Sequence, residues 1–410
     1  MKRLLLLLPT RGYRAEDFIA AADGLEIELT VASEIPSSLE AQNPGGLLTL
    51  DFDHPDHAAR QTLRFHERFP IDAVVGVDDS TSLLQAVIGQ ALGLSTNPPE
   101  AVATARNKFR MREKLREAGL PGPWHHLFSV DDDPAELAQA VPYPCVLKPL
   151  VLSASRGVIR ADSPAEFEAA FYRLRGILAD PEVAAMGEPA RQILVEGFLP
   201  GLEVALEGLL VDGRLQVLAI FDKPDPLDGP FFEETIYVTP STLRGSVRNT
   251  IRDIAARSAR ALGLVDGPIH AEFRVDGARV VPLEINPRPI GGRCSRVLRF
   301  GAGGLSLEEI ILRLALRMDI PSMMREQSAA GVMMIPVPGG GTLRSICGQE
   351  NAEKVPGIVE ILMNTRPGQK LVALPEGSTY LGFIFARTRT PHEAIASLRE
   401  AHDLLQFEIE

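Results

Sequence analysis

The stretch Leu283-Glu284-Ile285-Asn286-Pro287-Arg288-Pro289-Ile290-Gly291-Gly292 ends an apolar run with a carboxylate and an amide, then adds a guanidinium and a glycine pair. Twelve residues before Glu284, His270-Ala271-Glu272-Phe273 carries a second carboxylate inside another apolar run. Oxygen donors of this kind suit a hard divalent cation, since magnesium is commonly held by one or two carboxylates together with substrate phosphates. Both glutamates interrupt apolar strands, where a charge without a task is costly. Glu272, Glu284 and Asn286 are therefore the candidate metal set, ahead of ordinary solvated acids.

For these donors to meet, residues 269–275 and 279–285 must form one hairpin around Asp276-Gly277-Ala278. Side chains alternate across a strand, so register decides whether the carboxylates share a face. A two-residue Asp276-Gly277 loop pairs Glu272 with Val281 and sends Glu284 to the opposite face. A three-residue loop pairs Glu272 with Pro282 and His270 with Glu284, making the carboxylates diagonal neighbours on one face. A shared metal thus demands the longer loop or a bulge. A second hairpin is expected from residues 203–210 and 215–221 around Val211-Asp212-Gly213-Arg214.

The remaining elements frame these hairpins. Apolar runs at 4–8, 27–31, 47–50 and 73–77, separated by polar or amphipathic segments, predict a parallel sheet with covering helices. Asp78 and Asp79 then fall at the rim where such sheets bind ligands, although Asp79-Ser80 is better explained as a helix cap. The breaker cluster Ser95-Thr96-Asn97-Pro98-Pro99 marks a boundary. Beyond it come one helix over 101–118, closed by Gly119 and Pro121, a strand at 144–147, a helix at 165–178 and a strand at 192–195. Pro338-Gly339-Gly340-Gly341 is a turn inside a third module, which continues through 357–362, 371–374 and 381–386 into a helix at 392–405. The fold class is α/β for residues 1–100, followed by α+β for 101–325 and 326–410.

Composition narrows the function. A chain of 410 residues exceeds a single hydrophobic core, and 45% hydrophobic with 23% charged residues is ordinary globular content. The net charge of -12 argues against a nucleic-acid partner, which needs a basic face. Five leucines ending at Pro9 are too few for a secretory core and read instead as a buried strand. No run approaches the ~18 apolar residues of a membrane span. Cys145, Cys294 and Cys347 lack zinc or disulfide spacing and fit reduced thiols in a cytoplasm. No Gly-x-Ser-x-Gly nucleophile elbow is present.

One family gathers these residues. Lys108, Val146-Leu147-Lys148-Pro149, Ser153-Ala154-Ser155-Arg156-Gly157-Val158, Val195-Glu196-Gly197-Phe198-Leu199 with Glu203, then Glu272 and Glu284-Ile285-Asn286-Pro287-Arg288 resemble ATP-grasp enzymes in order and spacing over residues 100–320. The first hundred residues resemble the Rossmann-like pre-ATP-grasp domain. With its C-terminal Tyr380-Leu381-Gly382-Phe383-Ile384-Phe385-Ala386-Arg387 stretch, the whole chain most resembles bacterial L-amino-acid ligases.

The resemblance implies an ATP-grasp fold at 101–325, with nucleotide between two lobes and a C-terminal α+β module. It implies ATP and Mg2+, with Mn2+ as a substitute, as cofactors. Lys108 and Lys148 would contact phosphates as point charges, and Ser153, Ser155 and Gly157 would form a mobile phosphate cover, with Arg156 also in reach of phosphate. Glu196, Phe198 and the backbone near Leu199 would meet adenine, and Glu203 the ribose hydroxyls. Lys223 is divided evenly between a phosphate contact and a surface ion-pair turn. Arg288 would offset charge on the transferring phosphoryl group. Arg293 would fork onto a substrate carboxylate, with Arg296 and Arg299 at the same helical spacing. His270 would either orient substrate or be a structural histidine, and Glu233 or Glu234 would meet an amine.

The implied reaction is ADP-forming amide synthesis through an acyl-phosphate, between a small-molecule carboxylate and an amine such as amino acids. Its rivals are an ATP-grasp carboxylase or formate-using ligase acting on a nucleotide-like amine, and a non-catalytic ATP sensor. A cytoplasmic homodimer without nucleic-acid or membrane partners completes the expectation.

Overall fold

The computed structural model of the chain describes residues 1–410 except Arg11 and Tyr13. Four parallel strands open the fold in the order Leu47–Thr49, Ile27–Ser33, Lys2–Leu7 and Ala73–Gly76. The leucine run is buried on both faces. Leu5 and Leu7 share a core with Ala58, Val74 and Ile88, while Leu4 and Leu6 share another with Val75 and Ile310 of the helix Leu307–Ala315. A parallel strand covered on both sides has no polar face to show, which explains the unbroken run.

Two local expectations are corrected. The single helix over 101–118 is two, Pro99–Arg106 and Lys108–Glu117, separated by Asn107, whose backbone leaves helical geometry at ψ 107°. The Asn107 side chain accepts a hydrogen bond from the Arg110 N–H, satisfying an orphan donor of the new first turn. Lys108 is thereby the first residue of a helix. At the other correction, the cap of the helix Asp79–Ala91 is Asp78, which accepts from the Thr81 N–H while the Thr81 hydroxyl accepts from the Asp78 N–H. Asp79 is released from capping and turns elsewhere.

A small antiparallel sheet follows in the order His125–Ser129, Gln192–Gly197, Cys145–Pro149 and Ile159–Ala161. Its first strand was not among the sequence expectations. The helix Pro164–Leu178 covers it, burying Phe167, Phe171 and Leu174 with Leu147, Ile193 and Val195.

The second sheet has eight strands, in the order Arg279–Asn286, Gly267–Asp276, Leu202–Val211, Arg214–Lys223, Ile236–Thr239, Ala329–Ile335, Gly382–Thr388 and Ile358–Met363. Strands from residue 329 onward thus extend the sheet begun at residue 202. Period-two alternation divides its faces. On Gly267–Asp276 the residues Ile269, Ala271, Phe273 and Val275 enter a core with Ile251, Ala255 and Ala259 of the helix Gly245–Leu262. His270, Glu272 and Arg274 take the other face. Beyond the sheet lie the short strands Lys370–Leu371, Gly341–Cys347 and Gln406–Ile409 and the helix Pro391–Asp403. Of the segment expected at 371–374, only Leu371 is strand. No helix among the described residues is long and apolar enough to cross a membrane.

Candidate functional site

The hairpin solves its parity problem with a bulge. Asp276 pairs with Arg279 around Gly277-Ala278, and the register runs regularly to Phe273 opposite Pro282, then shifts so that Glu272 faces Glu284 and His270 faces Asn286. Neither loop considered from the sequence occurs. The extra residue, Leu283, brings both carboxylates, Asn286 and His270 to one face, as a bulge re-aims side chains. The Asn286 amide donates to Glu284 Oε2 at 3.3 Å, and the Lys108 ammonium stands 3.3 Å from Glu284 Oε1.

Beside Glu272 lies a cluster of buried charge. The Lys223 ammonium donates to Glu203 Oε1 at 2.6 Å, Glu234 Oε1 at 2.6 Å and Glu272 Oε1 at 2.8 Å, and lies 4.7 Å from the centre of the Tyr237 ring. Lys223 is therefore neither in a surface turn nor lining the cleft. Burial alone would lower its pKa, but the carboxylates hold it well above the usual value. Oxygens of Glu203, Glu234 and Glu272 lie within 4.8 Å of one another, close enough for a metal. The ammonium at hydrogen-bond distance from all three already supplies that counter-charge. Glu203 is held from its other side by Arg274, 3.1 Å away.

Burial raises Glu234, and its carboxylate neighbours add to this against Lys223. Glu272 is also penalised by burial, yet Lys223 and His270 bring it well below the ordinary range. His270 stands 3.4 Å from both Glu207 and Glu272, long for a hydrogen bond but short for a charge pair. Burial opposes charge on His270, and those carboxylates more than offset it, raising its pKa. Glu207 is fully buried and accepts from the Ile290 N–H at 3.2 Å, tying the loop after Arg288 to the sheet.

Lys148 and Glu196 form a second cluster. Arg112 donates through Nε to Glu196 Oε2 at 2.8 Å and through a terminal nitrogen to Oε1 at 3.2 Å, and Lys148 donates to the same Oε1. Burial would raise Glu196, but Arg112 and Lys148 bring it down to about 2. Its carboxylate, expected at adenine, is here the counter-ion that aims Lys148. Arg112 was missed by sequence reading. It lies four residues after Lys108 on a helix, the spacing of one face.

In the segment expected to cover phosphates, Ser153 and Ser155 line the cleft, as do Phe198 and Leu199. Arg160 stacks 4.1 Å over the Phe198 ring. Arg156 departs from expectation: its Nε donates to the Glu376 carbonyl at 2.8 Å and it does not line the cleft. Gly157 likewise donates its N–H to the Pro375 carbonyl at 2.9 Å.

Arg288 lines the cleft and donates through Nε to Asp79 Oδ2 at 2.9 Å. Burial raises Asp79, but Arg288, Arg106 and Lys108 together lower it. The Asp79 carboxylate, expected as a helix cap, is thus a partner of the Arg288 guanidinium. Arg293, expected on a substrate carboxylate, is not among the cleft's lining residues, and its guanidinium stands 5.9 Å from the Phe383 ring centre. Arg296 pairs with Asp17 at 2.9 Å and Glu360 at 3.1 Å, and Arg299 donates to the Arg296 and Leu298 carbonyls. Neither lines the cleft. Of the two glutamates offered for an amine, Glu234 lines the cleft and Glu233 does not.

Those of these groups that line the cleft share one space of about 580 Å³. Asp78, Asp79 and Ser80 close one rim, Lys148 and Phe198 the small-sheet side, Glu272, Glu284 and Arg288 the floor, and Asn364, Ser378, Thr379, Tyr380 and Phe383 the C-terminal side. Residues 364–383 carried no sequence signal as site residues. Glu272 and Glu284, facing each other across the strand pair, offer the floor's carboxylate oxygens to a divalent cation, with Lys108 3.3 Å from Glu284 and Lys223 2.8 Å from Glu272, whereas the third expected ligand, Asn286, is buried and not among the cleft's lining residues.

The ATP-grasp domain family matches residues 141–297, and the family described as L-amino acid ligase C-terminal domain 2 matches residues 333–410. The crystal structure of an L-amino acid ligase from Bacillus licheniformis superposes with a TM-score of 0.83 at 26% identity, covering 100% of this chain and 99% of that one. Alanine–anticapsin ligase of Bacillus amyloliquefaciens is 25% identical over 68% of this chain and 64% of its own. Carnosine synthase 1 of Gallus gallus is 31% identical over 70% of this chain and 32% of its own. The chain thus spans less than two thirds of the length of these two curated relatives.

Proposed function

We propose that this chain, a member of the ATP-grasp ligases that ends in an L-amino acid ligase C-terminal domain, joins the carboxylate of an amino acid to the amine of a second amino acid or similar small molecule. The observation that carries this reading is that Lys108, Lys148 and Arg288 line the same cleft as the carboxylates Glu272 and Glu284. Such a cleft can hold a triphosphate, a metal and a carboxylate at once.

In the proposed reaction a substrate carboxylate oxygen attacks the γ-phosphorus, the bond to the bridging oxygen breaks and ADP leaves. The amine, as its neutral form, then attacks the acyl carbon of the acyl-phosphate, the C–O bond to phosphate breaks, and orthophosphate departs carrying the proton that the nitrogen loses. Glu272, Glu284 and Asn286 would hold magnesium, which when bound neutralises phosphate charge. Lys148, aimed by Glu196, and Lys108 hold phosphate oxygens in place. Each Glu203 oxygen keeps a second lone pair for ribose hydroxyls while paired with Lys223 and Arg274. Arg288, steadied by Asp79, offsets the charge that develops as the phosphoryl group moves. Positioning and electrostatics suffice for such transfer, and no protein nucleophile is required.

The test is a matrix of amino-acid and small-acid pairs with ATP and magnesium or manganese, measuring ADP, orthophosphate and amide. ADP formation that depends on two organic substrates is expected. AMP with pyrophosphate would refute the acyl-phosphate route, and ADP formation on bicarbonate or formate would favour a carboxylase or formate-using ligase. ATP binding without turnover on any pair would leave a nucleotide sensor.

A further inference from the structure

The phosphate-cover segment is held by the far end of the chain. Gly157 donates to the Pro375 carbonyl at 2.9 Å and Arg156 to the Glu376 carbonyl at 2.8 Å. Nearby, Arg173 forks onto the Glu376 carboxylate, Nε to Oε1 at 2.6 Å and a terminal nitrogen to Oε2 at 2.9 Å. The Arg173 guanidinium also lies 4.9 Å from the centre of the Phe231 ring, which limits its freedom. Ser378, Thr379 and Tyr380, just beyond these anchors, line the cleft.

The segment needs outside support. Ala154 and Ser155 take φ of 51° and 56°, in the left-handed region that side-chain-bearing residues disfavour. Gly157 has φ of 74°, and a Cβ there would stand 2.9 Å from Leu174 Cδ1, so the segment is also pressed against the helix that carries Arg173. The local hydrogen bonds are two turn contacts, Arg156 N–H to the Ser153 carbonyl at 3.2 Å and Val158 N–H to the Ser155 carbonyl at 3.1 Å. The contacts to Pro375 and Glu376 supply fixed partners from another part of the fold.

We propose that Arg173 and Glu376 are positioning residues for the nucleotide: their bidentate pair locks the C-terminal segment 374–380 onto the small lobe and holds Ser153 and Ser155 in the conformation that receives the ATP phosphates. This rests on the reading of the cleft as an ATP site. It makes the C-terminal module part of the nucleotide cover. Both side chains are a little over two fifths exposed, so the pair adds little to folding, and its worth lies in preorganising a strained loop.

The experiment compares wild type, Arg173→Ala, Glu376→Ala, the double alanine variant and the charge swap Arg173→Glu with Glu376→Arg. It measures the dissociation constant for magnesium-ATP, the KM for ATP, kcat at saturating ATP and the melting temperature without ligand. Each single alanine variant should weaken ATP binding about threefold to fivefold, the worth of one such pair. KM should rise in step, while kcat and the ligand-free melting temperature hold. The double alanine variant should match either single one, because a pair fails as a unit, and the swap should recover part of the loss. Unchanged ATP affinity in both single variants would overturn the proposal, as would additive losses or a loss matched by a fall in ligand-free melting temperature. Wild-type protein that binds ATP without forming ADP defeats the ligase reading alone, and the affinity comparison still decides the lock. Wild-type protein that binds no ATP defeats both.

Discussion

Replacing Glu196 by glutamine tests whether Arg112, Lys148 and Glu196 form one buried charge cluster. The substitution keeps shape and removes the charge that faces Arg112 and Lys148, with Glu196 only 2% exposed. Two routes give the magnitude. The distance between 4.5 and about 2 in the Glu196 pKa, at ~1.4 kcal/mol per pH unit, is ~3 kcal/mol. Breaking a buried pair from one side costs ~3 to 5 kcal/mol, because the abandoned cation stays in low dielectric. At ~2.1 cal/mol/K of unfolding entropy per residue over 410 residues, a loss of ~3 kcal/mol corresponds to a fall of about 3 to 4 °C in the melting temperature. The pH dependence fixes the sign. The folded-state pKa lies below the unfolded one, so the contribution is present above pH 4.5 and is lost as pH falls from 4.5 toward about 2. Thermal unfolding of wild type and Glu196→Gln from pH 7 to pH 3 should show a gap that is full at neutral pH and less than about half by pH 3. A shift under about 2 °C at pH 7, or a gap constant to pH 3, would refute the reasoning.

Two further outcomes concern the cleft. Magnesium-ATP should raise the melting temperature of wild type by linkage, and Lys148→Ala should abolish that rise; an equal rise in the variant would remove Lys148 from the nucleotide site. Arg288→Ala should cut turnover by ~100 to 1,000-fold while changing ATP affinity little, because its charge matters most as the phosphoryl group moves. Loss of ATP binding in step with turnover would make Arg288 a ground-state contact instead.

Particular residues show how much was legible. Strand alternation alone aligns His270, Glu272 and Arg274 on one face, and 284 with 286 on another strand, because the pleat is a property of the backbone. The leucine strand at the N-terminus and the hairpins were likewise readable from local pattern, whereas Lys108, Lys148, Glu196, Glu203 and Arg288 stood out only through the resemblance to ATP-grasp enzymes. The bulge at Leu283, which turns two strand faces into one site, was foreseen only as one of two solutions, since both registers satisfy the same apolar pattern.

Tertiary structure alone decided the partners. Arg112 reaches Glu196 across 84 residues and Arg288 reaches Asp79 across 209. Lys223 draws Glu203, Glu234 and Glu272 together from three separate strands and loops. Arg173 meets Glu376 across 203 residues. A sequence fixes local geometry through dihedral preference and side-chain period, but which buried charges neutralise one another depends on the order of strands in the sheet and the packing of lobes against it. Burying a charge is tolerable only where a partner from elsewhere in the chain arrives within hydrogen-bond distance, and that meeting exists only in the folded molecule.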